Sequence, residues 1–271
     1  MGGRKRTWEA ISFEVVMTAV ALIALIVIIA PSLVVLIVSF TNGFSLKFPP
    51  PGYSARWYAE LWNAWQLHFA AKNSFVVAMW STGLSIVLGV AAALAIARSP
   101  TLSARVLDSL FMSPLVLPAL AFGLSALMLF SLVGLPVSPL TLVIGHTVVC
   151  VPYVVRNTVA ALAQLETTLL ESSAILGASR FYTFRRVVLP LIRPGVIAGA
   201  FIAFMSSFDN VPVSLFLRGA ATDMLPIRMW QDLEGKLDVT IAALSGVLII
   251  ATVALMAIME RVTGLSKRLT S

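Results

Sequence analysis

Charged residues are scarce in this sequence. Asp, Glu, Lys and Arg make up 11% of its 271 residues, whereas hydrophobic residues make up 59%, and the mean hydropathy is +0.96. A typical soluble domain has about 25% charged residues. So low a share excludes an ordinary soluble globular protein and indicates a chain that lies largely within lipid.

Cysteine and histidine are also scarce, and the common catalytic motifs are absent. A single cysteine, Cys150, excludes a disulfide within the chain, and two widely separated histidines predict no metal site. There is no G-x-x-x-x-G-K-S/T phosphate loop, no H-E-x-x-H zinc motif and no G-x-S-x-G elbow. We therefore expect neither enzymatic activity nor a cofactor in this chain, and any energy that it uses must come from a gradient or another protein.

Long apolar runs are abundant. A hydrocarbon core of about 30 Å requires roughly 20 apolar residues in a helix, and helices satisfy their own backbone polar groups in lipid. We predict an all-α polytopic membrane protein with one transmembrane domain, 1–271. The first run is too long for a signal-peptide core and predicts an uncleaved span. The six predicted spans are about 13–40, 73–97, 107–132, 139–155, 194–217 and 239–262. Spans three and four are predicted to kink at prolines, which remove backbone donors: Pro114, Pro118, Pro136, Pro139 and Pro152.

The net charge of +7 has two possible readings. Strong basicity can indicate nucleic-acid binding, but here the basic residues follow the predicted loops. With the N-terminus inside, thirteen of the 19 Lys and Arg residues fall in inner segments and six in outer ones. This is the positive-inside bias of membrane proteins. We predict a multi-pass protein of the cytoplasmic membrane, with both termini cytoplasmic and no nucleic-acid partner.

The first outer loop is rich in aromatic residues. Trp57, Leu61 and Trp65 recur at intervals of four, a spacing that would place them on one helical face. We predict an outer helix over about 53–69 that is anchored in the lipid headgroup region by its indoles. The alternative is a docking surface for an outer partner.

A polar segment lies between the fourth and fifth spans, at about 157–193. Thr168 and Glu171 match a capping box that starts a helix. Gly177 is placed to end that helix in a left-handed conformation. Ser179 is suited to start a second helix, and Pro190 is predicted to interrupt it before span five. The segment therefore predicts helix–turn–helix on the inner membrane surface.

Apolar residues are spread around most of the first of these two helices, as Leu169, Leu170, Ala174, Ile175 and Leu176. A short helix with so few polar faces is expected to pack against something. The thin inner face of this chain makes another protein the natural partner. The alternative is an ordinary capped loop with positive-inside arginines.

This segment resembles a family motif. The permease subunits of binding-protein-dependent ABC importers carry the pattern E-A-A-x3-G-x9-I-x-L-P, and this chain has Glu171-Ser172-Ser173, Gly177 and Val187-x-Leu189-Pro190 at the same spacing. Serine replaces both alanines, and valine replaces isoleucine. The similarity is greatest to permeases of the polyamine (spermidine/putrescine) type, in "GASRFYTFRRVVLPLIRP", "SFDNVPVSLFL", "KLDVTIAAL" and "YSARWYAEL".

The resemblance implies a type I ABC importer permease in which this loop forms the coupling helix. It implies two cytoplasmic ATPase subunits that bind Mg-ATP, a second permease that is a homologous but different chain, and an extracytoplasmic solute-binding protein. The implied cargo is a polyamine or a related small cationic or amino compound. The residues implied in ATPase coupling are Glu171, Ser172, Ser173, Ala174, Gly177, Ala178, Arg180, Leu189 and Pro190.

A single carboxylate, Asp209, occurs within the fifth predicted span. A charge at mid-membrane costs roughly 2.5–3.5 kcal/mol on insertion scales, so it is expected to face protein or a water-filled path. Ser206, Ser207 and Asn210 are close to it in sequence, and Ser206 and Asn210 would share a helical face. Pro212 can open the helix here and expose backbone carbonyls. We predict a path for a cationic amine here. The alternatives are a structural hydrogen bond between helices and a position close enough to the membrane surface for the carboxylate to be solvated.

Two other polar groups have simpler interpretations. His146 and Cys150 lie one turn apart in span four, and we predict that they pack, with one hydrogen bond between helices. The outer acids lie among basic residues and predict a solvated face, or else a surface that receives the binding protein. They are Asp223, Asp232, Glu234 and Asp238.

Three alternative functions remain open at this point. A gradient-driven secondary transporter would require ionisable residues in several spans and broken helices in matching halves. A structural or assembly subunit would leave the coupling motif without a role. An importer permease of the same class for another small solute would share every feature above.

Overall fold

The computed structural model describes residues 8–97, 101–219, 222–236 and 239–263. Almost all of them are helical, which confirms the predicted all-α class. In chain order the helices are α1 (Trp8–Val38), α2 (Arg56–Asn63), α3 (Trp65–Ala97), α4 (Leu102–Val116), α5 (Ala119–Leu132), α6 (Pro139–Ala163), α7 (Thr167–Ile175), α8 (Arg180–Thr183), α9 (Leu189–Phe208), α10 (Val211–Leu217), α11 (Leu225–Lys236) and α12 (Thr240–Thr263), with a π-helical turn (Phe184–Val188) between α8 and α9.

Five helical segments are long and apolar enough to cross a membrane: Ser12–Val38, Trp65–Ala97, Pro139–Ala163, Arg180–Phe208 and Thr240–Arg261. They correspond to five of the six predicted spans. Three are longer than predicted, because α3 begins at Trp65 rather than Asn73, α6 continues to Ala163, and the segment that ends at Phe208 begins at Arg180. The remaining predicted span, the third, is present only if α4 and α5 are counted together.

The third predicted span, 107–132, is broken. α4 and α5 meet at an angle of 105°. Leu117 at the break has an extended backbone, with φ −71° and ψ 143°. This conformation follows from Pro118, because a proline ring disfavours the helical conformation of the residue before it. The prediction of one continuous span was therefore wrong in its geometry, and the prediction of a proline kink was correct.

The fifth predicted span, 194–217, was wrong at both ends. Helical structure begins at Arg180 and runs through the π-helical turn into α9, so Pro190 does not interrupt it. Pro190 lies in the first turn of α9, where a missing N–H group is tolerated. The helix then stops at Phe208, and the residues from Val211 onward form the separate helix α10.

The aromatic outer helix was also predicted too long. α2 ends at Asn63, because Ala64 leaves the helical conformation with ψ 70°. Trp65 begins α3, so Trp57, Leu61 and Trp65 do not share one helical face. The Trp57 indole donates to the Gly43 carbonyl at 3.1 Å, and Leu61 is buried whereas Trp65 is exposed.

The described chain divides into two compact units. One is built from residues within Met1–Ala64 and Asp232–Val253. There the Tyr58 hydroxyl lies 2.8 Å from the Ser39 hydroxyl, and Gly246 of α12 leaves room for it, since a Cβ at Gly246 would lie 2.7 Å from that oxygen. Small residues thus permit close helix approach in this unit.

The other unit is built from residues within Trp65–Gln231 and Ala254–Ser271, and α3, α6 and α9 form its centre. α6 packs against both other helices. A Cβ at Gly89 of α3 would lie 2.8 Å from the Val154 side chain, and one at Gly199 of α9 would lie 2.9 Å from the Val154 Cα. The buried Ser81 hydroxyl of α3 donates to the Val143 carbonyl of α6 at 3.2 Å. Glycine and serine therefore bring the three helices together, as is typical of packing in lipid.

Candidate functional site

Helix α7 carries the predicted coupling motif, but its N-terminus is built differently from the prediction. The residue before the helix is Glu166, which has an extended backbone and makes no side-chain cap. The Thr168 hydroxyl donates to the Glu166 carboxylate at 3.4 Å. Because the helix already begins at Thr167, Thr168 and Glu171 lie inside it, and the predicted capping box is wrong. Glu171 is instead exposed on the middle of α7.

The end of α7 agrees with the prediction. Gly177 has φ +74°, a left-handed conformation that glycine adopts without steric cost. Its N–H donates to the Ala174 carbonyl at 3.0 Å, and the Ala178 N–H donates to the Ser173 carbonyl at 3.1 Å. These two bonds are the Schellman arrangement that ends helices.

The second helix starts as predicted. The Ser179 hydroxyl accepts from the Tyr182 N–H at 3.2 Å and caps α8. The Ser173 and Thr183 hydroxyls lie 2.7 Å apart and join α7 to α8. Serine at position 173, where the family pattern has alanine, therefore makes a specific contact that alanine would not.

Helix α7 has no buried residue, and its apolar side chains are open to the surroundings. We call Ile175, Leu176, Phe181 and Tyr182 the apolar edge. Ile175 and Leu176 are each 85% exposed, and Phe181 is 72% exposed. Exposed apolar surface of this kind marks sites of interaction with another protein or with a membrane. Within the described chain the edge is thus available to another protein or to lipid.

The remaining residues of the motif lie on the helices that follow α7. Arg180 opens α8 and lines a cleft beneath α7 together with Leu170 and Phe184. Leu189 and Pro190 begin α9 and are exposed. Because α8, the π-helical turn and α9 follow each other without a gap, one helical rod leads from the turn at Gly177 to the end of α9.

The second predicted group surrounds the break between α9 and α10. Asp209 ends α9 and is exposed, whereas Ser206 is half-buried. The Asn210 side chain accepts from the Val213 N–H at 2.9 Å and caps α10. The helix ends between Ser206 and Asn210, so the prediction that they share a helical face was wrong. The break arises because Asn210 is a strong capping residue and Pro212 suits a first helical turn.

Ser207 makes a buried contact with another helix. Its hydroxyl lies 2.8 Å from Nδ1 of His146, and both residues are fully buried. The other ring nitrogen of His146, Nε2, lies 3.1 Å from the Ser214 hydroxyl of α10. His146 thus packs as predicted but makes two hydrogen bonds between helices rather than one. The sequence contained no signal for this bridge, since His146 is 61 and 68 positions away from its two partners.

Cys150 also packs as predicted, and its Sγ donates to the Ala203 carbonyl of α9 at 3.2 Å. Within the part of the chain that the structure describes, no group of three or more His, Cys, Asp or Glu side chains is placed to hold a metal ion.

The outer acids do not behave as a uniform solvated face. The Arg218 guanidinium donates to the Asp223 carboxylate at 2.8 Å, and both side chains are half-buried. The Asn73 amide donates to the Asp223 carbonyl at 3.0 Å. Prediction of a solvated face was therefore wrong for Asp223, whose ion pair shapes the loop after α10. Glu234 is exposed, and Asp238 lies outside the described residues.

Comparison with known proteins agrees with this architecture. A family model described as "Binding-protein-dependent transport system inner membrane component" matches residues 85–268. The spermidine/putrescine transport system permease protein PotC of Haemophilus influenzae is 28% identical over 212 residues, covering 78% of this chain and 82% of the relative. The putrescine transport system permease protein PotI of Escherichia coli K12 is 29% identical over 223 residues, covering 80% and 79%.

Two solved structures share the fold. A bacterial ABC transporter involved in the import of the acidic polysaccharide alginate has a TM-score of 0.73 at 13% identity, covering 96% of this chain and 99% of that chain. The methionine ABC transporter MetNI, in inward-facing conformations, has a TM-score of 0.61 at 19% identity, covering 74% and 96%. The predicted resemblance, the type I importer fold and a multi-pass inner-membrane location are confirmed. The chain belongs to the family of binding-protein-dependent transport system inner membrane components and is an ABC importer permease.

Proposed function

We propose that this chain is one transmembrane half of an ATP-driven importer and moves its solute by alternating access. Two cytoplasmic ATPase subunits bind and hydrolyse Mg-ATP, while the permease itself is non-catalytic. A second, homologous permease completes the pore, and an extracytoplasmic binding protein delivers the solute. Both termini of the chain lie on the cytoplasmic side.

The exposed apolar edge beside Gly177 is the observation that carries this proposal. An apolar edge with two side chains 85% exposed is costly in water and gains free energy when a partner covers it. The tight turn at Gly177 and the Ser173–Thr183 contact hold α7 against α8. Movement of a partner that grips α7 is then transmitted along the helical rod to α9 and to the break at Asp209.

The proposed cargo is a polyamine or a related small cationic or amino compound. The two relatives named for spermidine or putrescine transport cover about four fifths of this chain. The exposed Asp209 carboxylate at the end of α9 offers the charge that an ammonium group requires, and its apolar surroundings in the membrane would strengthen that attraction. Of the four residues predicted to line the path, Ser207 and Asn210 are engaged in contacts within the protein. Asp209 and the half-buried Ser206 are therefore the ones proposed to contact the solute.

A substitution at Gly177 tests the coupling. Gly177 has open space around it, so Gly177→Asp places a carboxylate where the ATPase is proposed to dock without a clash inside the chain. ATP-dependent uptake of radiolabelled putrescine into proteoliposomes that contain the whole transporter should be abolished. The amount of permease inserted in the membrane should be unchanged.

Gly134 provides a matched control. It also has a left-handed backbone, with φ +73°, and open space around it, but it lies between α5 and α6, on the predicted outer side. Gly134→Asp introduces the same backbone strain and the same charge, and uptake should persist. Normal uptake with Gly177→Asp, or equal loss with both variants, would contradict a coupling role for this turn.

A further inference from the structure

The short helix α10 requires support from its neighbours. It has seven residues, and isolated helices of this length are unstable. A Cβ at Gly123 of α5 would lie 2.6 Å from the Pro212 carbonyl, and one at Gly145 of α6 would lie 2.5 Å from the Leu217 side chain. α10 therefore lies in close contact with both α5 and α6. These contacts do not by themselves fix the position of α10 relative to α9.

His146 makes that connection. Its ring is fully buried, with Nδ1 2.8 Å from the Ser207 hydroxyl in the last turn of α9 and Nε2 3.1 Å from the Ser214 hydroxyl in α10. A neutral imidazole has one N–H donor and one nitrogen acceptor, and a hydroxyl can serve either. Both bonds are therefore satisfied at once, and one side chain of α6 holds the helices on the two sides of the break.

We infer that His146 is a positioning residue that clamps α10 to α9 and thereby sets the geometry of the break that carries Asp209 and Asn210. The ring itself does not touch the solute. If either hydrogen bond is lost, α10 detaches more often from α5 and α6, and the exposed carboxylate of Asp209 is no longer held in one place. The consequence for solute transport rests on the proposed function, whereas the clamp itself does not.

Thiol labelling measures the clamp directly. Cys150 is the single cysteine, so Cys150→Ser leaves a chain without thiols and keeps a donor to the Ala203 carbonyl. Val213→Cys then introduces a reporter on α10 at a buried position, which N-ethylmaleimide reaches only when α10 opens. In the purified full transporter, Ser214→Ala should raise the labelling rate roughly 5- to 10-fold, the factor by which one buried hydrogen bond shifts such an equilibrium.

Two further variants complete the experiment. His146→Leu removes both bonds and should raise the labelling rate further than Ser214→Ala. Ser81→Ala is the matched control, because it removes a buried serine that donates from α3 to α6 at 3.2 Å but lies outside the bridge, and labelling should stay unchanged. Equal labelling rates in Ser214→Ala and in the parent would overturn the clamp, even if His146→Leu fails to fold.

Uptake by the same variants separates this inference from the proposed function. Ser214→Ala should alter the apparent KM for putrescine while the ATPase activity of the complex is retained, because only the solute path is disturbed. Faster labelling with an unchanged KM would overturn the link from the clamp to solute transport and leave the clamp standing. If labelling is unchanged in Ser214→Ala while Gly177→Asp abolishes uptake as expected, the clamp is overturned and the proposed function stands.

Discussion

Individual polar residues in this apolar chain have different roles, and their partners distinguish them. Ser207 bonds to His146, and Asn210 caps α10. Both are satisfied within the protein, as polar groups in a low-dielectric interior must be. Asp209, between these two positions in the chain, is exposed. Its carboxylate is therefore the strongest candidate for contact with a cationic solute.

A charge-neutralising substitution tests that role. Asp209→Asn keeps the size of the side chain and removes its charge. The ammonium group of the solute then loses its ionic partner and keeps only a weaker hydrogen bond to the amide oxygen. We expect the apparent KM for putrescine to rise about tenfold or more, the factor that the loss of a charged hydrogen bond corresponds to. The measurement is initial uptake into proteoliposomes over a range of putrescine concentrations.

Asp209→Glu is the control, because it retains the carboxylate and should retain most of the uptake. If Asp209→Asn transports putrescine with an unchanged KM, the carboxylate has a structural role and the solute passes elsewhere.

At the scale of elements, α7 contrasts with the spans. α6 has many buried residues along its length, whereas α7 has none among its nine residues. Tertiary packing supplies most of the stability of a protein helix. α7 is held by its Schellman turn, by the Ser173–Thr183 contact and by its links to the neighbouring helices, so its apolar edge is free to serve an interface.

A substitution on the apolar edge tests this interpretation. Leu176 is 85% exposed, so Leu176→Asp should change the free energy of unfolding by no more than about 0.5 kcal/mol, as is usual for surface positions. It should nevertheless reduce the amount of ATPase subunit that stays bound to the purified permease, because a charge would replace apolar contact.

Thr168→Asp puts the same charge on the same helix outside the apolar edge and should leave ATPase binding intact. Both proteins are compared by thermal unfolding and by the ATPase-to-permease ratio after purification. Undiminished binding with Leu176→Asp would show that the edge is not the interface.

Breaks between elements were harder to predict than the elements themselves. Apolar runs of sufficient length predicted where five spans lie, because insertion into lipid depends on local hydropathy. The turn at Pro118 was predicted only as a kink, and the angle of 105° depends on how α4 and α5 pack. An opening of the helix at Pro212 was predicted, but the end of α9 at Phe208 was not, because Asn210 acts as a cap only where its side chain reaches the Val213 N–H.

At the scale of the whole molecule, the source of energy distinguishes the proposed importer from a gradient-driven transporter. The described spans contain few charged side chains, whereas gradient-driven carriers use ionisable residues in several spans. Uptake of putrescine by sealed vesicles that hold the complete transporter should require ATP, and it should fall to background when ATP is removed.

An uncoupler that dissipates the proton gradient should leave this uptake unchanged. The control is a known proton-coupled carrier in the same vesicles, which the uncoupler should stop. Uptake that survives without ATP but ends with the uncoupler would contradict the importer mechanism.

The amino-acid sequence by itself determined the membrane location, the all-α class, most of the spans and the left-handed turn at Gly177. These features depend on local properties: hydropathy over about 20 residues and the backbone freedom of one glycine. The family resemblance also came from the sequence alone, through residues at fixed spacing in the coupling segment and through similar stretches elsewhere in the chain.

Only the tertiary structure decided which polar side chains are satisfied inside the protein and which remain free. The His146 bridge joins residues 61 and 68 positions away in the chain, and no local pattern encodes such a contact. The same holds for the ion pair between Arg218 and Asp223 and for the exposure of the apolar edge. Hydrogen bonding and burial depend on what packs nearby. The sequence alone therefore could not distinguish the exposed Asp209 carboxylate from polar neighbours that are satisfied inside the protein.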